Sequence, residues 1–293
     1  MTQRDLLRVI LWMTGALLSF STMAVSIRGL ATTLHVPEIL AIRNASGLVI
    51  LLAIGFARPQ LLFAVTLRRW RLQLSRNVIH FGAQYLWALS VTLLPLATVF
   101  SLEFTMPAYA AILAVVFLHE RMTAGRIGVV VLGFLGVMVI LRPGIASFNP
   151  AALLVLTAAL GFAVSLIQTK ALTTSETTYA IVLWMNAVQL PLALIGSNAK
   201  NFLNLGAAQA LPLLGVAVSG LASHFCLTQA FRSGDATVVV PLDFMRIPLI
   251  AFVGWWLFGE ALDAWVFAGA GLIVLGISWN LRAEAIAAVT HKP

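Results

Sequence analysis

The chain has 293 residues, of which 61% are hydrophobic and 10% charged, where soluble globular domains carry about 25% charged residues. A mean hydropathy of +0.99 and recurrent apolar runs of about 18–23 residues, the length that crosses roughly 30 Å of hydrocarbon as helix, exclude a soluble globular protein. The net charge of +8 would point to nucleic acid in a soluble chain, but here the basic residues gather in the connections, so topology accounts for them and no nucleic-acid partner is implied.

In chain order, ten spans are predicted near residues 8–28, 37–57, 77–94, 97–118, 124–141, 151–170, 178–196, 209–231, 236–258 and 263–281. The first is too long for a leader's apolar region and has no small-residue cleavage site, so it reads as a span. Short polar connections such as LHVPE, SFNP and RSGD separate the runs. Thirteen of the eighteen Lys and Arg residues fall on the side of the amino terminus. Four (Arg28, Arg43, Arg142 and Lys200) fall on the other side, and Arg246 lies within a span. That bias predicts a multi-pass protein of the cell inner membrane with both termini cytoplasmic. Arg28 and Arg43 are expected inside span ends, with their heads snorkelling to the interface. The single cysteine, Cys226, rules out an internal disulfide and reads as a small packing residue.

The fourth and ninth spans resemble each other. In FSLEFTMPAYAAILAVVFLHERMT and VPLDFMRIPLIAFVGWWLFGEALD, a shift of 140 aligns Leu102 with Leu242, Glu103 with Asp243, Phe104 with Phe244 and Glu120 with Glu260. A shift of 142 aligns Phe20 with Phe162, Asn44 with Asn186 and Ala45 with Ala187. The chain therefore divides into two five-helix repeats, 1–145 and 146–293. Five is odd, so the second copy must cross the membrane in the opposite sense. The expected fold is an all-α integral membrane protein of ten transmembrane helices in two inverted repeats. Such repeats are typical of secondary transporters, whose site lies near the midplane between the copies.

The segments LPLATVFSLEFTMPAYAAILAVVFLHERMTAGRIGVVVLGFLGVMVILRPG and FRSGDATVVVPLDFMRIPLIAFVGWWLFGEALDAWVFAGAGLIVLGI resemble the drug/metabolite transporter superfamily, EamA-like branch, as two tandem domains. The marks are a proline within the fourth span of each half, Pro107 and Pro248, and a Glu closing it, Glu120 and Glu260. His119 departs from the Gly usual before that Glu, which Gly259 keeps in the second copy. The resemblance implies a ten-helix inverted-repeat carrier, its central cavity lined by spans 1, 3, 4, 6, 8 and 9. Family members move amino acids, vitamins, nucleotide-like cofactors and other metabolites, so the implied partners are a small-molecule substrate and the lipid bilayer.

Ionisable groups inside spans are functional candidates, since each costs at least ~2.5 kcal/mol at a helix centre. Glu103 lies roughly 9 Å from one edge of the fourth span and Asp243 roughly 10 Å from the opposite edge of the ninth, at ~1.5 Å per residue. Either could bind a proton or a substrate amine, or hold helices together as a paired acid. Arg246, three residues after Asp243 on the same helical face, suggests an internal ion pair. Glu103 has no basic residue near it in its own helix, which makes it the candidate proton carrier. Glu120 and Glu260, at span ends, read as structural. On the first span Ser19 is a cavity candidate, as is Gln168 on the sixth. On the third, His80, Gln84 and Trp87 fall at i, i+4 and i+7 with Tyr85 beside them, a stripe that suits either a ring-containing ligand or a helix seam. His80 and His224 could titrate near neutral pH, but neither has a second ligand at i+4, so no metal site is expected. Asn44 and Asn186 read as helix-to-helix contacts. Pro107 and Pro248 should interrupt their helices where these line a cavity or hinge.

No Walker loop, GxSxG or HExxH occurs, so neither ATP-driven transport nor an enzyme is supported, and no cofactor is implied. The expected function is a secondary transporter for an amino acid-like or a cofactor- or vitamin-like metabolite, working by alternating access. The alternatives are a lipid-linked flippase and an ungated facilitator on the same fold. Import and export, and monomer and homodimer, stay open, with protons the candidate coupling ion.

Overall fold

The computed structural model describes residues 3–118, 122–142, 149–233, 239 and 242–290, all helices and their connections. The helices are α1 (Gln3–Leu30), α2 (Val36–Ala57), α3 (Pro59–Phe63), α4 (Trp70–Leu93), α5 (Leu96–Glu103), α6 (Met106–Leu118) and α7 (Ala124–Leu141) in the first half. In the second half come α8 (Ala151–Leu172), α9 (Thr178–Ile195), α10 (Ala199–Phe202), a 3-10 turn at Ala207–Gln209, α11 (Ala210–Ser233), α12 (Arg246–Phe258) and α13 (Ala264–Thr290). Among the described residues, eight helical segments are long and apolar enough to cross a membrane. The 24-residue α4 is not one of them, because its inner face carries Gln73, Arg76, Asn77, His80 and Gln84, all buried. Nor is α12, apolar but only 13 residues long.

Local chemistry sets the helix ends. Thr123 accepts the Arg126 N–H at the start of α7 (3.3 Å), and Thr177 accepts the Ala180 N–H at the start of α9 (3.2 Å), each capping an otherwise orphaned donor. Pro37 and Pro59 occupy first-turn positions, where a missing N–H costs nothing. Gly259 ends α12 in the left-handed region (φ 64°), which a side chain would disfavour.

The fourth span is two helices, not one. It turns at Phe104–Thr105, and the ninth turns at the equivalent Phe244–Met245. Pro107 and Pro248 thus fall just inside the first turns of α6 and α12. The interruption expected from the prolines lies two to four residues before them, because a proline is tolerated where the helix has not yet begun to use its N–H groups.

The most extensive helix packing crosses between the halves. α1 lies along α11, α4 along α8, α2 along α9, α7 along α13, and α5 against α12. Cys226 packs on Gly15 across the α1–α11 seam, as its reading as a packing residue requires. Backbones approach closest where α7 crosses α13. A Cβ on Gly136 would stand 2.6 Å from the Gly269 carbonyl oxygen, and one on Gly269 would stand 2.5 Å from that of Gly136. Asn186 donates within its own helix to the Val182 carbonyl (2.9 Å), with its amide against Gly47 of α2. It touches the neighbouring helix but does not bond to it.

Two arginines are placed differently from the loop reading. Arg43 does not snorkel: it is 4% exposed, inside α2, with its stem across Gly220 of α11. Arg76 is not a loop residue either but lies buried on α4, donating to Thr169 Oγ1 (2.9 Å) and Asn77 Oδ1 (2.8 Å). Hydropathy windows place the polar head of an arginine at the nearest interface, and here other helices stand in the way.

Candidate functional site

At the turn between α5 and α6, the last residue of α5 is Glu103. At the matching turn before α12 come Asp243 and, one turn on, Arg246. The Arg246 guanidinium holds Asp243 through Nη2 (2.6 and 2.5 Å to the two oxygens) and reaches Glu103 through Nη1 (3.5 Å). Trp87 Nε1 donates to the other Glu103 oxygen at 2.7 Å. Glu103 is therefore not an isolated carboxylate: its base comes from the other repeat, 143 positions along the chain. Three phenylalanines surround the guanidinium, with Phe20 at 4.1 Å, Phe104 at 5.2 Å and Phe100 at 5.7 Å from ring centre to Cζ. Each such contact contributes ~0.5–2 kcal/mol, more where water is excluded. Phe104 and Phe244, equivalent by the shift of 140, touch each other at 4.6 Å. Side-chain exposure grades the group: Arg246 5%, Asp243 16%, Glu103 23%. The arginine is sealed, and Glu103 is the carboxylate most open to solvent.

Trp87, Glu103, Asp243 and Arg246 are thus brought together. His224 joins them through Phe20, whose ring it meets edge-on at 6.1 Å, and Ser19 lies half-buried beside Phe20 on α1. The other candidates lie elsewhere. His80 is buried in the seam of α4, α8 and α9, where Gln189 Nε2 donates to its Nδ1 (2.9 Å) and Phe162 packs at 5.4 Å. Gln84 is buried on the same helix. Tyr85 lines a hollow of about 330 Å³ with Leu34 and His35 of the α1–α2 connection and Pro37 in the first turn of α2. Gln168 donates to Ser75 Oγ (3.0 Å) across the α4–α8 pair. The stripe on α4 is accordingly split, with Trp87 in the central group and His80 in a seam. Sequence reasoning missed Phe20, Phe100 and Phe104, although Phe104 aligned with Phe244 was a visible signal. Among the described residues no group of three His, Cys, Asp or Glu could hold a metal ion. What the arrangement can do is exchange partners: one cation between two carboxylates, each on the end of a broken helix.

A model of the EamA-like transporter family matches residues 7–142 and again 149–282, nearly the whole chain in two tandem copies. The chain belongs to the EamA-like transporter family. This EamA-like transporter is 32% identical over 276 residues to a riboflavin transporter of Rhizobium johnstonii, covering 94% of this chain and 91% of the relative. It is 28% identical over 265 residues to an S-adenosylmethionine uptake transporter of Rickettsia felis, covering 90% and 88%. A crystal structure at 17% identity matches with a TM-score of 0.58 over 97% of this chain and 98% of its own, which shows the fold. The EamA-like transporter is a multi-pass membrane protein.

One carboxylate that read as structural has a defined place in this EamA-like transporter. Glu260 pairs with Arg28 at the end of α1, and its other oxygen accepts the Leu96 N–H (2.9 Å) that opens α5. Arg28 also donates to the Val91 and Leu94 carbonyls and lies over Phe258 at 4.9 Å. Arg28 is therefore anchored, not snorkelling, and ties α1, α4, α5 and α12 together at one end of the bundle. Glu120, its equivalent, lies outside the described residues. Glu260→Ala strands the Arg28 cation and the Leu96 donor together. It is expected to lower stability in detergent by about 1–3 kcal/mol, read as a drop in Tm, with Glu260→Gln recovering the Leu96 bond and so part of the loss.

Proposed function

We propose that this chain is a secondary transporter of a small organic metabolite, working by alternating access in the bacterial inner membrane. In this reading the chain crosses the membrane ten times, with both termini in the cytoplasm. The halves 1–145 and 146–293 are inverted copies around an axis through the Phe104–Phe244 contact. One observation carries the reading: Arg246 stands between Glu103 and Asp243, equivalent acids of the two copies, where two broken helices meet. Contact between equivalent residues, and the cross-half pairing of α2 with α9 and of α7 with α13, support such an axis. Inverted halves can exchange conformations, presenting the site between them to either side in turn. In this reading Arg246 holds Asp243 tightly in one state and Glu103 in the other.

The relatives, one named for riboflavin and one for S-adenosylmethionine, favour a cofactor- or vitamin-like solute over an amino acid-like one. Counterflow in proteoliposomes against labelled riboflavin, S-adenosylmethionine and amino acids tests this directly. Exchange of one panel member supports the reading. No exchange combined with lipid scrambling would replace it with a flippase.

Proton coupling belongs to Glu103, the more open carboxylate and the one on which Arg246 has the longer hold. Glu103→Gln keeps the Trp87 bond through its amide oxygen but cannot take up a proton. Wild-type uptake should rise with an inward proton gradient, and the variant should transport equally with or without it. A Glu103→Gln protein with full, still gradient-driven uptake removes the proton assignment. Gradient-independent uptake already in the wild type marks a facilitator.

A further inference from the structure

A second charged group lies apart from the one around Arg246. Arg43 of α2 is 4% exposed, and its Nε and Nη1 are sealed from solvent with no hydrogen-bond acceptor. Its side chain crosses Gly220 of α11, where a Cβ would come within 2.8 Å of Nε. Arg76 of α4 is 7% exposed and bonds only to neutral oxygens, those of Thr169 and Asn77. The acids whose side chains the structure describes are committed elsewhere. Glu103 and Asp243 face Arg246, Glu260 faces Arg28, and Asp263 faces Arg142. Glu38 accepts from Asn198 and Asn201, and Glu176 from Thr66.

Among the described residues, two guanidinium groups therefore stand inside the bundle with no counter-charge, an arrangement that is costly unless something anionic completes it. Their surroundings are polar and unsatisfied as well. Both amide atoms of Asn44 and one oxygen each of Gln84, Gln189 and Ser219 are buried without a partner. All lie on α2, α4, α9 and α11, where α2 contacts each of the other three. His224, one turn along α11 from Gly220, meets the Phe20 ring edge-on and lies within electrostatic reach of Arg43, Arg76 and Arg246. The copies do not repeat the charge: the shift of 142 sets Met185 opposite Arg43. A purely architectural contact of the duplicated fold would not need it.

We propose that Arg43, backed by Arg76 and reached past His224, is an anion subsite, and that the transported solute carries a carboxylate or phosphate which Arg43 binds. The assignment rests on the transporter reading above and names the substrate's charge class. A planar guanidinium suits either group, binding both oxygens of one face.

The test uses the full chain in lipid-free detergent and matched solute pairs: riboflavin with riboflavin 5′-phosphate, and nicotinamide with nicotinate. At least one anionic member is expected to raise Tm where its neutral partner does not. Arg43→Met should weaken that stabilisation on the order of tenfold, with partial recovery in Arg43→Lys. The unliganded Arg43→Met protein should melt at the same or a higher temperature than wild type, because an unpaired charge has gone. An arginine that merely held helices together would lower it. The proposal is overturned by neutral members binding as tightly as their anionic partners, by an anion response unchanged in Arg43→Met, or by no response to any soluble anion. A response confined to phosphatidylglycerol overturns it too, assigning the site to lipid. Counterflow separates the two readings: exchange of a neutral solute removes the anion class alone, whereas anion binding without exchange of any solute removes transport alone.

Discussion

Arg246→Ala is expected to lower the stability of the purified protein by about 3–5 kcal/mol, the cost of breaking a buried ion pair from one side. The reason lies in what stays behind. Asp243 loses two short hydrogen bonds, Glu103 loses the Arg246 cation, and the Phe20, Phe100 and Phe104 rings face a void. Arg246→Lys keeps the charge but has no planar fork to grip both carboxylates or stack among the rings, so it should recover only part of the loss. The informative variant is the triple substitution Glu103→Gln, Asp243→Asn, Arg246→Met, which removes all charge at once. Buried charge networks replaced by apolar or neutral groups often lose little stability. The triple variant should therefore melt close to wild type and still fail to transport. Titration of unfolding in detergent and counterflow on the same preparations read the two effects separately. A triple variant as unstable as Arg246→Ala would mean that the residues' shape, not their charge balance, holds α5 against α12.

The second large effect is expected at the crossing of α7 and α13. Any side chain on Gly136 drives its Cβ against the Gly269 carbonyl oxygen and Ile273 Cγ1, both at 2.6 Å. Backbone cannot turn aside as the tip of a flexible side chain can, so the helices must part along the seam. Overpacking of this kind costs about 1–3 kcal/mol for modest insertions. Gly136→Leu, forced between two backbones in a contact whose stability comes from close approach, should reach or pass the upper end. Gly269→Ala should show the same defect in smaller measure. Gly271→Ala is the control: on the same helix, nothing lies within 4 Å of its added methyl, and alanine favours helix over glycine by roughly 1 kcal/mol. It should be neutral or slightly stabilising. Equal loss at Gly136 and Gly271 would place the weakness in helix propensity and not in the crossing.

These cases mark where the sequence was legible. Apolar runs are a property of composition over about twenty residues, and eight helical segments of the described residues are long and apolar enough to cross a membrane. The Asp243–Arg246 pair was legible because i, i+3 spacing on one helix is fixed by geometry. The grip of the same arginine on Glu103 was not, since it depends on how the fourth and ninth spans meet. The only hint was the alignment of Glu103 with Asp243. His80 shows the complementary limit. Its spacing with Gln84 and Trp87 identified a polar stripe, but a stripe on a helix cannot say which neighbour it faces. His80 met Gln189 in a seam while Trp87, two turns on, met Glu103. Arg43 was read by the rule for helices facing lipid. It lies where three other helices surround its own, and the local sequence carries no record of that.

The composition of α4 bears on how the protein is made. A nascent helix leaves the insertion machinery for lipid on the strength of its own apolarity, and the buried polar face of α4 (Gln73, Arg76, Asn77, His80 and Gln84) works against that step. The partners that offset its polar face are synthesised afterwards. Thr169 and Gln168 of α8 meet Arg76 and Ser75, and Gln189 of α9 meets Asn77 and His80. The first half therefore contains a helix whose polar face finds part of its partners only in the second half. Duplication gave the chain two similar units, yet their assembly is sequential: translation of the later copy completes the burial of the earlier one.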